Sequence, residues 1–481
     1  VRLLLGVDVG TTGVRAAAYE VGGALVADAS ESCPHDAPAP ARAEADAEAW
    51  WTAVRAACAR VGGKVALADV EAVAVTGQAP TAVLVDEGGR PLAPAILWLD
   101  VRADAEARAL DAALGKGRAE ALGGNRMHAY YLGPKLAWLR AHEPALLDRA
   151  ALVLQSHAFV ALRLTGEAAC DPSTAMLSSP LLDARAMAWS PEGAAAVGVP
   201  LGKLPRIARA HELLGRVTQA AAGATGLRAG TPVVAGGGDF AASALGSGVW
   251  DEGQACLMLG TAGNLLVPTR APRFDARLIN SHHVGCDRWL SLGGTLCGAA
   301  LEWFHRVLAP DVPWETLEAE AATVTPAEGL VVLPYFQGER TPVWDERARA
   351  VFAGVDLTHG RPHLHRALLD GIALGFRQCL DVVKEQGVRL DEVVAANGAG
   401  KSALLRQTLC DALGVPLVWA SDGGGTAKGA AMLAGLGIGA IGGPSAWSTG
   451  GGVRHEPRES ETRRLEAVLE RRKRVYGALR E

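Results

Sequence analysis

Leu3-Leu4-Leu5-Gly6-Val7-Asp8-Val9-Gly10-Thr11-Thr12-Gly13-Val14-Arg15 decides the reading of this chain. An apolar run carries one carboxylate, Asp8, to a Gly-Thr-Thr-Gly turn, and Val14–Tyr19 leads back out. That is the pattern of a hairpin. Gly10 and Gly13 are expected at positive φ, where glycine sits without strain. Successive backbone N–H groups at such a tip form an anion-binding concavity. The Thr11 and Thr12 hydroxyls add donors, Arg15 adds positive charge, and Asp8 is placed to hold the Mg²⁺ that accompanies a polyphosphate. An ordinary glycine-rich turn has the same composition, so the motif alone leaves both readings open.

Outward from the tip, Leu3–Val9, Val14–Glu20 and Ala24–Ala29 read as a meander. Ala47–Val61 reads as a helix with Trp50, Val54 and Cys58 on one face. Val70–Thr76 is a buried strand ending at Gly77-Gln78, and Ala82–Val85 and Ile96–Leu99 are short strands. Residues 103–225 are expected to be mainly helical. A further strand, Thr231–Ala235, runs into Gly236-Gly237-Gly238-Asp239. The opening pattern then recurs. Ala255–Leu259 leads to Gly260-Thr261-Ala262-Gly263 and out through Asn264–Val267. Self-similarity at a spacing of about 250 residues points to two duplicated domains, each offering a hairpin to a shared cleft. The boundary is placed at residue 247. A third strand, Glu392–Ala396, runs into Asn397-Gly398-Ala399-Gly400-Lys401-Ser402 and a helix, Ala403–Leu413. A glycine-rich turn at Asp422–Thr426 opens the next helix.

Composition bounds the function. A chain of 481 residues forms at least two domains. Its 49% hydrophobic and 21% charged residues exclude disorder. A net charge of −5 offers no broad basic field, so neither nucleic acid nor an anionic membrane is expected as a partner. The basic run Arg471-Arg472-Lys473-Arg474 is expected to be a solvated helix face. Eight cysteines without CxxC spacing suggest reduced thiols in a cytoplasmic protein. The apolar start reaches Asp8 too soon for a signal peptide, and no uninterrupted stretch reaches membrane length.

These motifs, in this order, resemble the FGGY family of carbohydrate kinases, within the actin/Hsp70/hexokinase superfamily and most like its xylulokinases. The similarity runs through Gly6–Arg15, Gly77-Gln78, Ala95–Asp100, Pro134–Trp138, Leu164–Glu167, Ala235–Asp239, Leu259–Gly263 and Leu333–Pro342. It ends in Ala350–Asp370, where Leu368 is a mild departure. The string Gly338-Glu339-Arg340-Thr341-Pro342 is particularly xylulokinase-like. The resemblance implies an α/β fold of two duplicated actin-like (ribonuclease H-like) domains with a nucleotide cleft between them. Residues 1–247 would bind the sugar and residues 248–481 the adenosine. ATP and Mg²⁺ would be the cofactors, a sugar or polyol the partner, and a homodimer the assembly. Asp239 would accept the proton of the attacked hydroxyl and, with Asp8, hold the metal. From the residues alone, Asp239 could instead cap the Phe240–Ser247 helix.

In the same resemblance Asp8, Gly10, Thr11, Thr12 and Arg15 face the β- and γ-phosphates. Gly260 and Thr261 close from the second domain. Gly298 and Glu302 fall at nucleotide contacts, and Gly398 and Ser402 at the adenosine site. An exposed helix carboxylate is the plain alternative for Glu302.

Ala395–Ser402 also fits a permissive P-loop, with Ala395 for the first glycine. That reading leaves too little chain for a P-loop domain and no role for either Gly-Thr tip. Lys401 is therefore expected to be peripheral. An actin- or Hsp70-like switch protein is a third class, and Asp239 with Gly338–Pro342 argues for sugar chemistry against it.

The acceptor pocket departs from its relatives. Xylulokinases carry Gly-Gln-Met-His-Gly where this chain has Gly77-Gln78-Ala79-Pro80-Thr81. Glycerol kinases carry Arg-Glu at Ala79-Pro80, and Phe240 replaces the usual Asn or Gln. Apolar walls discriminate weakly between hydroxyl patterns. Gln78, Trp98, Asp100, Arg102 and Tyr130 remain as candidate contacts, with core packing the alternative for Trp98 and Tyr130. Xylulose is the expected acceptor. Another ketose such as ribulose, a deoxy sugar, or a polyol such as glycerol or erythritol is the alternative.

Overall fold

The computed structural model describes residues 2–324, 329–396, 398–420, 425–447 and 451–480. The opening hairpin forms as read. Strands β1 (Leu3–Val9) and β2 (Gly13–Glu20) pair antiparallel, and β3 (Leu25–Ser32) continues the meander. Helix α1 (Ala47–Gly62) is capped by the Asp46 side chain, which accepts from the Glu48 N–H at 2.9 Å. It buries Trp50, Val54 and Cys58 as their spacing predicts. Strand β4 (Val70–Gly77) then lies parallel to β1. Later come β5 (Leu213–Arg216), β6 (Pro232–Val234) and the short β7 (Gly237–Gly238). The sheet order is β5-β6-β4-β1-β2-β3, with β7 also paired to β4. The strand expected at 96–99 is confined to Ala95–Ile96, because the chain turns where the Asp100 N–H donates to the Leu97 carbonyl. Residues 103–225 are mainly helical, as expected.

Helix α2 (Asp239–Gly246) leads into the second sheet. Its strands are β8 (Gln254–Leu259), β9 (Ala262–Thr269), β10 (Ile279–His282), β11 (Trp289–Leu296), β12 (Glu392–Ala396), β13 (Leu417–Trp419) and β14 (Val453–His455). The order is β10-β11-β9-β8-β12-β13-β14. The core of the first sheet, β3-β2-β1-β4-β6, is thus repeated as β11-β9-β8-β12-β13, with the same antiparallel and parallel pairings. Helices α3 (Gly298–Leu308), α4 (Arg361–Glu385) and α5 (Ala403–Leu413) pack on this sheet. Helix α6 (Thr426–Gly437) belongs to the second half by sequence, yet it covers one face of the first sheet. A Cβ on Gly6 would stand 2.0 Å from the Ala427 carbonyl oxygen, so only glycine allows this approach. The turn before α6, expected from Asp422, lies outside the described residues up to Gly424, as does Asn397.

Helix α7 (Glu459–Arg480) corrects one expectation. Arg472 is fully buried and donates to the Gly371 carbonyl and, at 3.1 Å, to the Tyr335 hydroxyl. The basic run is therefore not a uniformly solvated face. The packing side of the helix takes its arginine inward because two oxygens wait for it. All eight cysteines are free. Among the described residues no helix is long and apolar enough to cross a membrane.

Candidate active site

Register brings the first-half residues together. Strands β1, β4 and β7 run parallel and end level. Val9 pairs with Gly77, and Gly77 with Gly238. One row back, Asp8 lies beside Thr76, and Thr76 beside Gly237. The next residue of each strand therefore enters one patch at the carboxyl end of the sheet: the Gly10 tip, Gln78 and Asp239. Open α/β sheets bind ligands at that end.

The tip is closed by the Gly10 N–H donating to the Gly13 carbonyl at 2.9 Å. Neither glycine takes the positive φ expected from the sequence. Gly13 is required by crowding, since a Cβ there would stand 2.6 Å from the Glu31 carbonyl oxygen. Thr11 is half-buried and Thr12 exposed. Arg15 lies opposite Asp8 across the ladder and bonds Asp28 at 2.9 Å.

Asp8 and Asp239 are each half-buried. Burial, and then the charge of Asp239, raises the Asp8 carboxyl well above its ordinary value. The Thr76 hydroxyl at 3.4 Å and the Arg15 charge offset this in part. Burial pushes Asp239 up to about 6, although the Phe240 N–H donates to its Oδ1 at 2.7 Å. Asp239 does not cap α2. Gly238 occupies the capping position and the helix begins at Asp239 itself. Crowding by the protein itself accounts for the two preceding glycines. A Cβ on Gly237 would strike Val284 and Asp171, and one on Gly238 the Phe240 ring.

Beside the tip is a mainly apolar cluster of side chains. Gln78 is buried. Its Nε2 reaches the Gly10 carbonyl at 3.4 Å, and its Oε1 finds no partner among the described residues. Ala79, Pro80, Tyr130 and Phe240 are buried, and Trp98 is half-buried. The Tyr130 hydroxyl donates to the Ala79 carbonyl at 3.3 Å. Asp100 and Arg102 do not join this cluster. Asp100 is fully buried, accepts from the Ala43 N–H at 2.7 Å, and is bridged by Arg102 at 2.6 Å. It is a fastening for its loop and has no free oxygen to offer. The Lys135 ammonium fastens the same region, donating to the carbonyls of Asp100, Ala129 and Tyr130 at 2.7, 2.7 and 2.9 Å.

One residue beside this cluster is not expected there from the sequence. The Arg340 guanidinium lies 4.7 Å from the Tyr130 ring centre and 5.8 Å from that of Trp98. It belongs to the second half. The string around it marked kinship, but no spacing ties residue 340 to residue 130.

In the second half, Gly260 and Thr261 form the β8–β9 tip. Their carbonyls accept from the start of α3: Gly298 N–H to Gly260 at 2.9 Å and Ala299 N–H to Thr261 at 3.1 Å. Gly298 is thus brought against the tip, and Glu302 is exposed on α3. Gly398 is exposed beyond the end of β12. Ser402 caps α5, accepting from the Leu405 N–H at 2.9 Å while donating to Glu318 at 2.5 Å. Among the described residues no cluster of three or more His, Cys, Asp or Glu could hold a metal.

With this geometry in view, comparison with known proteins decides the family. The model of the FGGY family of carbohydrate kinases matches through its N-terminal domain over residues 3–246 and its C-terminal domain over 255–438. The chain belongs to the FGGY family of carbohydrate kinases. The kinase is 34% identical over 439 residues to the xylulose kinase of Escherichia coli strain K12, covering 90% of this chain and 89% of that one. It is 30% identical over 458 residues to glycerol kinase 2 of Streptomyces coelicolor, covering 90% and 88%. The solved structure of xylulose kinase from Rhodospirillum rubrum superposes with a TM-score of 0.92 at 31% identity, covering 100% of this chain and 99% of that one. The kinase therefore has the two-domain actin-like fold of this family and is a sugar phosphotransferase that uses ATP. The non-enzymatic switch falls away with these matches. So does the P-loop. Residues 398–401 form a single 3₁₀ turn, Lys401 is exposed, and Ser402 sits outside α5 as its cap. A P-loop would place the lysine and serine at a helix start that cradles phosphate.

Proposed function

We propose that this kinase transfers the γ-phosphoryl of ATP to D-xylulose, forming D-xylulose 5-phosphate. The observation that carries the site is the level ending of β1, β4 and β7, which sets Asp8, Gln78, Asp239 and the Gly10 tip in one patch. Asp239 accepts the proton of the attacked hydroxyl. A carboxylate raised to about 6 is mostly ionised near neutrality and is more basic than a solvated one. The N–H groups and hydroxyls of Gly10, Thr11 and Thr12, with the Arg15 charge, receive the β- and γ-phosphates. Gly260 and Thr261 approach from the second half, with Gly298 and Glu302 beside them. Gly398 and Ser402 border the adenosine. Gln78, Ala79, Pro80, Trp98, Tyr130 and Phe240 hold the acceptor, with Arg340 as a further wall. Asp100 and Arg102 act behind it.

Mg²⁺ suits the pair Asp8 and Asp239. Two half-buried carboxyls that repel each other resist joint ionisation, which a cation between them relieves. Magnesium binds through one or two carboxylates together with waters and substrate phosphates. It would neutralise the charge that develops on the transferring group.

Similarity to xylulose kinases supports xylulose as the acceptor. The buried Ala79, Pro80 and Phe240 favour a second reading, in which several ketoses or polyols are accepted with weak selectivity. A panel of D-xylulose, D-ribulose, glycerol and erythritol separates the two when ATP consumption and sugar phosphate are both measured. We expect slow ATP hydrolysis alone, clear stimulation by xylulose, and lesser stimulation by the others. A panel in which xylulose gives no product removes the xylulose assignment. A thousandfold preference for xylulose over ribulose removes the weak-selectivity reading.

A further inference from the structure

We propose that Trp98 is a positioning residue for phosphoryl transfer, holding the Thr11 hydroxyl toward the donor phosphate, and that Arg340 of the second half keeps Trp98 in place. This rests on the assignment of the first tip as the phosphate site. The Trp98 indole Nε1–H donates to Thr11 Oγ1 at 3.0 Å. An indole N–H only donates, whereas a threonine hydroxyl has one hydrogen and two acceptor sites. The bond occupies an acceptor site and leaves the Thr11 hydrogen free to point outward. Among the described residues that hydroxyl has no other partner. A hydroxyl oriented in advance stabilises charge on a phosphate without reorganising during the reaction.

The indole has two neighbours that fix it. Tyr130 meets it edge-on, with ring centres 6.5 Å apart. Arg340 lies over both rings, donates a hydrogen bond to the Tyr130 hydroxyl and has its charge near Glu339. Its Nε is buried without a hydrogen-bond acceptor among the described residues. The loop carrying Arg340 is latched to the first half. Arg126 lies 4.8 Å over the Trp344 ring, and His128 meets Glu346 at 3.0 Å. Contact between the halves on the acceptor side is thereby linked to a donor on the phosphate side. Such a link disfavours transfer to water when the acceptor side is open.

Trp98→Phe keeps the ring and removes the N–H. The expected result is a roughly two- to tenfold fall in kcat, the span of one hydrogen bond. The apparent KM for the sugar stays within about twofold, and ATP hydrolysed per sugar phosphate formed rises. The loss should be absent in a Thr11→Ala background, because the two residues act as one unit. It should persist with Thr11→Ser, which keeps the hydroxyl. Arg340→Met should reproduce the fall in kcat and add little to Trp98→Phe. Thermal midpoints of all variants show that they are folded. A Trp98→Phe enzyme altered only in KM, or effects of Trp98→Phe and Thr11→Ala that multiply, overturns the proposal and leaves the phosphate tip standing. Unchanged turnover in Thr11→Ala overturns the tip assignment itself.

Discussion

Each half of the kinase ends its central strand in a Gly-Thr tip, and the two tips differ in what precedes the glycine. Two residues before Gly10 stands Asp8; two residues before Gly260 stands Met258. The first tip spans four residues between the paired Val9 and Val14, the second three between Leu259 and Gly263. In the second, helix α3 takes up the tip carbonyls. Duplication has kept the strand order and divided the chemistry. At the tips themselves the first half carries ionisable groups, Asp8 and Arg15, whereas residues 258–263 of the second carry none.

The sharpest way to break this division is Asp239→Ala. Loss of a positioned base should lower turnover by about 10²–10⁴ with ATP binding retained. A fall of less than fivefold would mean the first half does not supply the base. Next comes the paired substitution at matched strand positions. Asp8→Asn should cost of order 10² in turnover through lost charge stabilisation. Met258→Leu should leave turnover within about twofold, since the swap conserves volume. Equal effects in steady-state assays would erase the distinction between the tips.

Acid sharpens it further. The base must be ionised, so kcat/KM should fall about tenfold per pH unit below the Asp239 value of about 6 and level off above it. Burial raises Asp239, and the Asp239 charge in turn raises Asp8, so Asp8 is still protonated where Asp239 ionises and Asp8→Asn should leave the acid limb in place. A limb that moves to lower pH would show that Asp8 ionises first.

Four residues before each tip, Gly6 and Cys256 occupy the same strand position. Gly6→Ala forces a methyl against the Ala427 carbonyl and should cost about 1–3 kcal/mol, visible as a lower thermal midpoint. Cys256 already fits a side chain there, and Cys256→Ala should cost less. The smallest effect is expected at Lys401→Ala. It should shift the apparent KM for ATP and leave kcat within about twofold, because the lysine is exposed in a 3₁₀ turn. A collapse of kcat would return the phosphate site to that loop.

What the sequence disclosed follows contiguity. The hairpin at 3–20, the helix at 47–62 and the repeat at 254–269 each lie within one short window, where alternation or helical spacing is visible. The neighbourhood of Asp8 and Asp239 is not of that kind. It arises from a parallel register between distant strands, and only kinship to a family could suggest it. Arg340 over Tyr130 is hidden for the same reason. Composition misled at Arg472, where a basic run conceals one inward arginine. Glycine misled at Gly13, where crowding by the protein itself, rather than turn geometry, excludes a side chain.

Helix α6 is made near the end of the chain and lies on the first sheet, against Leu4, Gly6 and Val234. During synthesis all seven strands of that sheet emerge before it. A nascent chain that has reached residue 250 therefore has these strands without the helix that covers one apolar face of the sheet, the kind of surface that recruits chaperones or aggregates. The two halves are separate repeats in descent and a single unit in folding: the first is finished only when the second arrives.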